Sequence, residues 1–214
     1  MSHCPKRLLV TPVIGVAVAL TAAGTAVALQ IGGTDGHDRI IGSRAADTID
    51  ARGGPDVVFA RAGDDAITLG DGFDRVRAGR GDDTIEGGLG VDFIHAGAGA
   101  DKVDAGDGGD RVIAGPGDDN IGAGDGDDRV IAGPGADTVD AGAGFDRVRG
   151  RSGNDTERGG EGFDVLRGGR GSDTLYGGPG NDRLWARVRD GASDTVNGDE
   201  ATTGSACVTG RATS

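Results

Sequence analysis

An aliphatic side chain returns at every ninth residue from Ile40 to Leu184, in sixteen of seventeen units; Glu157 is the one break. Each stands in the middle of an out-in-out triplet, such as Arg111-Val112-Ile113, which predicts a short strand with its central side chain buried. The other six residues of the unit read as turn. Glycine stands four residues before the aliphatic in sixteen of seventeen units, with Ala45 the exception, and usually two residues earlier still. Those glycines permit positive φ and close backbone approach. Pro116, Pro134 and Pro179 each sit between two of them, where a fixed φ suits a tight turn. A nine-residue unit buries its apolar residue only against its neighbours, so the pattern predicts a solenoid.

Between turn and strand stands an aspartate that never misses the register. The series is Asp38, Asp47, Asp56, Asp65, Asp74, Asp83, Asp92, Asp101, Asp110, Asp119, Asp128, Asp137, Asp146, Asp155, Asp164, Asp173 and Asp182. Coils stacked about 4.8 Å apart turn such a series into a column of like charge, which repels itself unless cations lie between the carboxylates. Calcium suits the chemistry, because it takes six to eight carboxylate and carbonyl oxygens in flexible geometry. Zinc does not: past the leader the chain offers only His37, His95 and Cys207. Magnesium demands a stricter octahedron.

The units, written x-G-x-G-x-D-x-U-x with U aliphatic, run from residue 33 to 185, and 177–185 carries the full double-glycine form. This run resembles the RTX, or haemolysin-type, calcium-binding repeats. The resemblance implies an all-β parallel β-roll, a right-handed β-solenoid with two repeats per coil. It implies several Ca2+ ions between stacked turns, with the seventeen aspartates above as ligands and main-chain oxygens assisting. Thr34, Ser43, Arg52, Arg61 and Arg151 replace the first turn glycine, so the sites near the N-terminal end and near Arg151 depart furthest from the pattern.

Alternate units differ, as a two-unit coil requires. After the aspartate one set reads Arg39, Val57, Arg75, Phe93, Arg111, Arg129, Arg147, Val165, Arg183; the other reads Thr48, Ala66, Thr84, Lys102, Asn120, Thr138, Thr156, Thr174. One sheet is thus expected to display arginines and the other threonines with acids. Oxygen-bearing residues precede the ligand aspartate mainly in the threonine set (Asp64, Asp82, Asp118, Asn154, Ser172), which predicts tighter calcium on that side.

Composition changes the picture in one respect. Forty-five glycines in 214 residues, 3% aromatics and a net charge of −13 approach the disordered class. One buried aliphatic contributes about 1.5–3 kcal/mol, whereas ordering each residue of a unit costs about 1–2 kcal/mol. The metal-free chain is therefore expected to be unfolded and to fold on binding metal. Glu157 marks the weakest coil, where isoleucine should raise the unfolding midpoint.

Residues 1–28 read as a secretory signal peptide. Lys6 and Arg7 precede the uncharged run Leu8–Val27, and Ala26-Val27-Ala28 is a small-x-small processing site. An uncleaved anchor is the alternative, since about 20 apolar residues span a bilayer. Cleavage removes two basic residues, takes the charge from −13 to −15, and leaves an extracellular chain without a membrane span. Cys207 then stands alone, free or paired between chains, and staples nothing. Residues 186–214 read as a partial cap and tail, with Asp194-Thr195-Val196 as a last turn and strand after a three-residue slip.

The function expected is a calcium-ion-binding structural or binding module, at home where calcium reaches about 10⁻⁴–10⁻³ M. No H-E-x-x-H or G-x-S-x-G appears, which points away from an enzyme. The arginine column, with Arg111, Arg129 and Arg147 at its centre, offers the alternative of an anionic polysaccharide or cell-wall polymer at a cell surface. Nucleic acid is disfavoured by the net negative charge.

Overall fold

The computed structural model describes residues 27–186 and 192–198. Residues 1–26, with Cys4, and residues 187–191 and 199–214, with Cys207, lie outside the described residues, and so do most of the segments read as signal peptide and tail. Within them the chain is all-β, with no helix: nineteen strands in two parallel sheets. Successive strands alternate between the sheets. The ten-stranded sheet runs from Gln30–Gly32 to Thr195–Asn197, and the nine-stranded sheet from Arg39–Ile41 to Arg183–Trp185. Partners within a sheet are eighteen residues apart, as in Arg111↔Arg129 and Val112↔Val130, so two units make one coil of a parallel β-solenoid. Only the last pair differs. Thr174 and Leu175 face Thr195 and Val196, twenty-one residues on, which absorbs the three-residue slip.

The sheets meet over a ladder of Ile, Val and Leu from Ile31 to Leu184, nearly all 0–3% exposed. Arginines and threonines after the aspartates face outward, on separate sheets as the alternation requires. Central strands are longer than the triplet expected, for example Val57–Ala62 and Ala66–Gly72. They continue through the first position of the next unit, which the sequence reading took for turn. Ala51, Ala60, Leu69, Ala78, Ala96, Ala105, Ala114, Ala123, Ala132 and Ala141 form a second, fully buried rung there. Most side chains there are small, Leu69 excepted, and where glycine stands the turn's aspartate tucks beneath the position. A methyl added at Gly150 would lie 2.2 Å from Asp155 Oδ2.

The few aromatics clamp the outer arginines. Phe93 carries Arg75 on one side and Arg111 on the other, 5.7 and 5.1 Å from its ring centre. Arg167 lies over Trp185 and Arg183 over Phe163. Such contacts give about 0.5–1 kcal/mol at exposed sites and hold the rungs upright. At the N-terminal edge Gln30–Gly32 adds a strand ahead of the first unit, and Leu29 takes the place an aspartate holds elsewhere.

Candidate metal centre

The turns stack backbone on backbone. A methyl on Gly70 would sit 1.5 Å from the carbonyl oxygen of Arg52, and one on Gly90 1.6 Å from that of Gly72. Carbonyls of one coil thus point at the α-carbons of the next, and glycine is required where they arrive. Arg52, Arg61 and Arg151 nonetheless hold the glycine conformation, with φ of 77°, 91° and 92°. The turn at Arg151 is therefore built like its glycine neighbours, in spite of its departure in sequence.

The expected ligands fall into two columns, one at each edge of the roll. Asp38 to Asp173 are buried to 4% exposure or less, although every one is acidic. Each donates its backbone N–H to Oδ1 of the aspartate one coil on: Asp38 to Asp56 at 2.7 Å, Asp83 to Asp101 at 2.9 Å, Asp164 to Asp182 at 3.0 Å. Asp194 closes the threonine-side column by accepting from Asp173 at 3.0 Å. It belongs with the seventeen, hidden from a strict ninefold count by the register slip.

The other oxygen has no such partner. From Asp56 to Asp164, Oδ2 of every aspartate in the register is buried without a hydrogen bond. Leaving a charged oxygen unsatisfied out of water is costly. Burial accordingly pushes the carboxyls of Asp83, Asp92, Asp119, Asp146 and Asp155 up to about 7. Those of Asp56, Asp101, Asp128 and Asp164 rise to about 6 from the same cause. In each case the amide donated by the preceding coil opposes the rise, and neighbouring carboxylates add to it.

Two turns are built differently. Thr34 donates its backbone N–H and its hydroxyl to Asp38 Oδ2, at 2.6 and 2.8 Å. Ser43 gives its N–H to Asp47 Oδ2 at 2.6 Å and its hydroxyl to Oδ1 at 2.9 Å. Here the chain fills the need that stays open further along.

No group of three or more His, Cys, Asp or Glu side chains able to hold a metal converges among the described residues. Each turn offers one buried carboxylate oxygen, and the remaining donors available are the inward carbonyls of the turns. That donor set is all-oxygen and mostly main-chain, which fits a hard cation and fits neither zinc nor copper. The oxygens preceding the ligand aspartates are exposed and already engaged. Asp82 Oδ1 accepts from the Ala100 amide at 2.8 Å, and Asp118 Oδ1 from that of Ala136 at 2.7 Å. His37 is bonded to the Pro55 carbonyl and stands beside Asp56, whose carboxyl its charge lowers slightly.

The RTX calcium-binding nonapeptide repeat (4 copies) model matches residues 32–67, 68–103, 104–139, 131–156 and 158–187. The chain therefore belongs to the RTX calcium-binding repeat family, whose repeats form a calcium-binding structural fold and define no class of enzyme. No curated protein matches it.

Proposed function

We propose that the chain is a secreted module that stays open where calcium is scarce and winds into its roll outside the cell. The reading rests on one observation, the unbroken row of buried, donor-less Oδ2 atoms from Asp56 to Asp164. Asp56 to Asp182 would each present one oxygen to a cation between coils, and turn carbonyls would complete the shell. Calcium supplies the positive charge that lets stacked carboxylates stay ionised out of water. Asp38 and Asp47, whose second oxygens are already held, close the N-terminal end rather than bind an ion. Export through residues 1–28 would deliver the chain to the calcium concentration such sites need. Far-ultraviolet circular dichroism tests this. With calcium the purified chain should be rich in sheet, and with a chelator at pH 8 it should read as coil. A compact, sheet-rich chain in chelator at pH 8 rejects the proposal.

A second reading is favoured by the outer face of the nine-stranded sheet. Arg44, Arg61, Arg77, Arg80 and His95 line a groove of about 750 Å³. The triplet Arg61, Arg77, Arg80 recurs at Arg151, Arg167, Arg170, five coils on. At about 4.8 Å per coil the two stand about 24 Å apart on one face, a spacing suited to a long anionic polymer such as a polysaccharide. Retention on a carboxylated or sulfated glycan column should drop when Arg61, Arg77 and Arg80 become serine. Unchanged retention rejects it.

A further inference from the structure

Among the described residues Glu157 is the one buried acid outside the ninefold aspartate register, and it lies in the core. It takes the ladder position between Val139 and Leu175 and is 0% exposed. Neither carboxylate oxygen makes a hydrogen bond of full geometry, although the backbone amides of Gly150 and Arg167 lie near enough to offset part of its burial. A methyl built on Gly150 would meet Glu157 Oε1 at 2.8 Å and Asp155 Oδ2 at 2.2 Å, so both carboxylates share the room of one missing methyl. We infer that Glu157 and Asp155 together hold one calcium ion inside the turn between residues 150 and 155, more tightly than the single-carboxylate turns around it. The inference rests on the calcium reading above and adds to it a ligand from the hydrophobic ladder.

The room beside Glu157 comes from Gly150, which carries no methyl where Ala141 carries one in the unit before. Two ionised carboxylates in one dry space repel each other strongly. A divalent ion between them cancels both charges, and added ligand charge is what tightens calcium sites.

Calcium titration calorimetry of the purified chain, with Glu157→Gln and Glu157→Ile beside it, tests the site. The unaltered chain should show one class of ion bound at least about tenfold more tightly than the rest, roughly the effect of 1.4 kcal/mol. Both variants should lose that class and keep the weaker ones. Glu157→Ile, with the aliphatic residue of the other units, should also unfold at higher denaturant than the unaltered chain in chelator at pH 5. Variants that titrate like the unaltered chain overturn the inference and leave the general calcium reading standing. An unaltered chain that takes up no calcium overturns both.

Discussion

The first two turns and the turns after them solve one electrostatic problem in two ways. At Asp38 the second carboxylate oxygen is held by the amide and hydroxyl of Thr34, and at Asp47 by the amide of Ser43, whose hydroxyl goes to the first oxygen. From Asp56 to Asp164 glycine or a glycine-like arginine stands in that place, and the same oxygen has no donor. The left-handed backbone is what makes the difference: it swings the position-two amide out of reach, as when Gly115 gives its N–H to the Ala132 carbonyl of the next coil. A turn can thus be self-sufficient or open to a cation. The end of a solenoid has no coil beyond it to share an ion with, so self-sufficiency belongs there.

The largest expected consequence is a pH response of opposite sign with and without metal. The central carboxyls are raised in the folded state, to about 6 or 7, above an unfolded value near 3.8. The folded metal-free chain therefore binds more protons than the unfolded one, and its stability falls as pH rises. That stability is fully present below about pH 4 and is lost through pH 6–7, so protons take the place of the cation. In chelator, circular dichroism should gain sheet between pH 8 and pH 5. With calcium at limiting concentration the same acidification should release ions instead. A metal-free chain that folds better at pH 8 than at pH 5 breaks the comparison, because the open oxygens would then have some other partner.

Next in size is the contrast between one aspartate from each kind of turn. Asp119→Ala removes an open oxygen and the acceptor for the Asp101 amide, bound at 2.9 Å. With calcium present it should cost about 1.5–3 kcal/mol, the range for a hydrogen bond to a charged group, and lower the number of ions bound. Asp47→Ala, which removes the acceptor for Leu29 and Ser43, should leave the ion count unchanged. Urea unfolding at saturating calcium, with ion counting by calorimetry, separates them; equal loss of ions in both would erase the distinction.

Much of this was legible in the residues. The ninefold aspartate, the single aliphatic and the Arg/Thr alternation carry the coil length, the two sheets and the inward and outward faces, because a period-two strand leaves little freedom once one side chain is buried. The second buried rung was not legible. Alanine at Ala51 or Ala105 reads as turn filler until the strand is seen to run on past the triplet. Nor did sequence alone distinguish Thr34 from Arg151, both of which replace glycine. Thr34 leaves the left-handed region and uses its hydroxyl, whereas Arg151 accepts the strained φ of 92° and keeps the turn open. Backbone conformation, not residue class, decides between the two.

That distinction yields the smallest and sharpest test. Thr34→Gly deletes the hydroxyl that donates to Asp38 and allows the backbone to take the conformation of the later turns. One net hydrogen bond is worth about 0.5–1.5 kcal/mol, and added glycine freedom raises the cost of ordering the unfolded chain. In chelator at pH 5, where the roll persists, the variant should therefore be less stable by about 1 kcal/mol or slightly more. Calcium should recover the loss, because Asp38 would then hold an open oxygen like Asp56 one coil on. The reading is a calcium-dependent rise in urea midpoint greater for the variant than for the unaltered chain. If calcium recovers nothing, an exposed oxygen alone is insufficient for binding, and a covering coil on both sides of the turn is the further requirement.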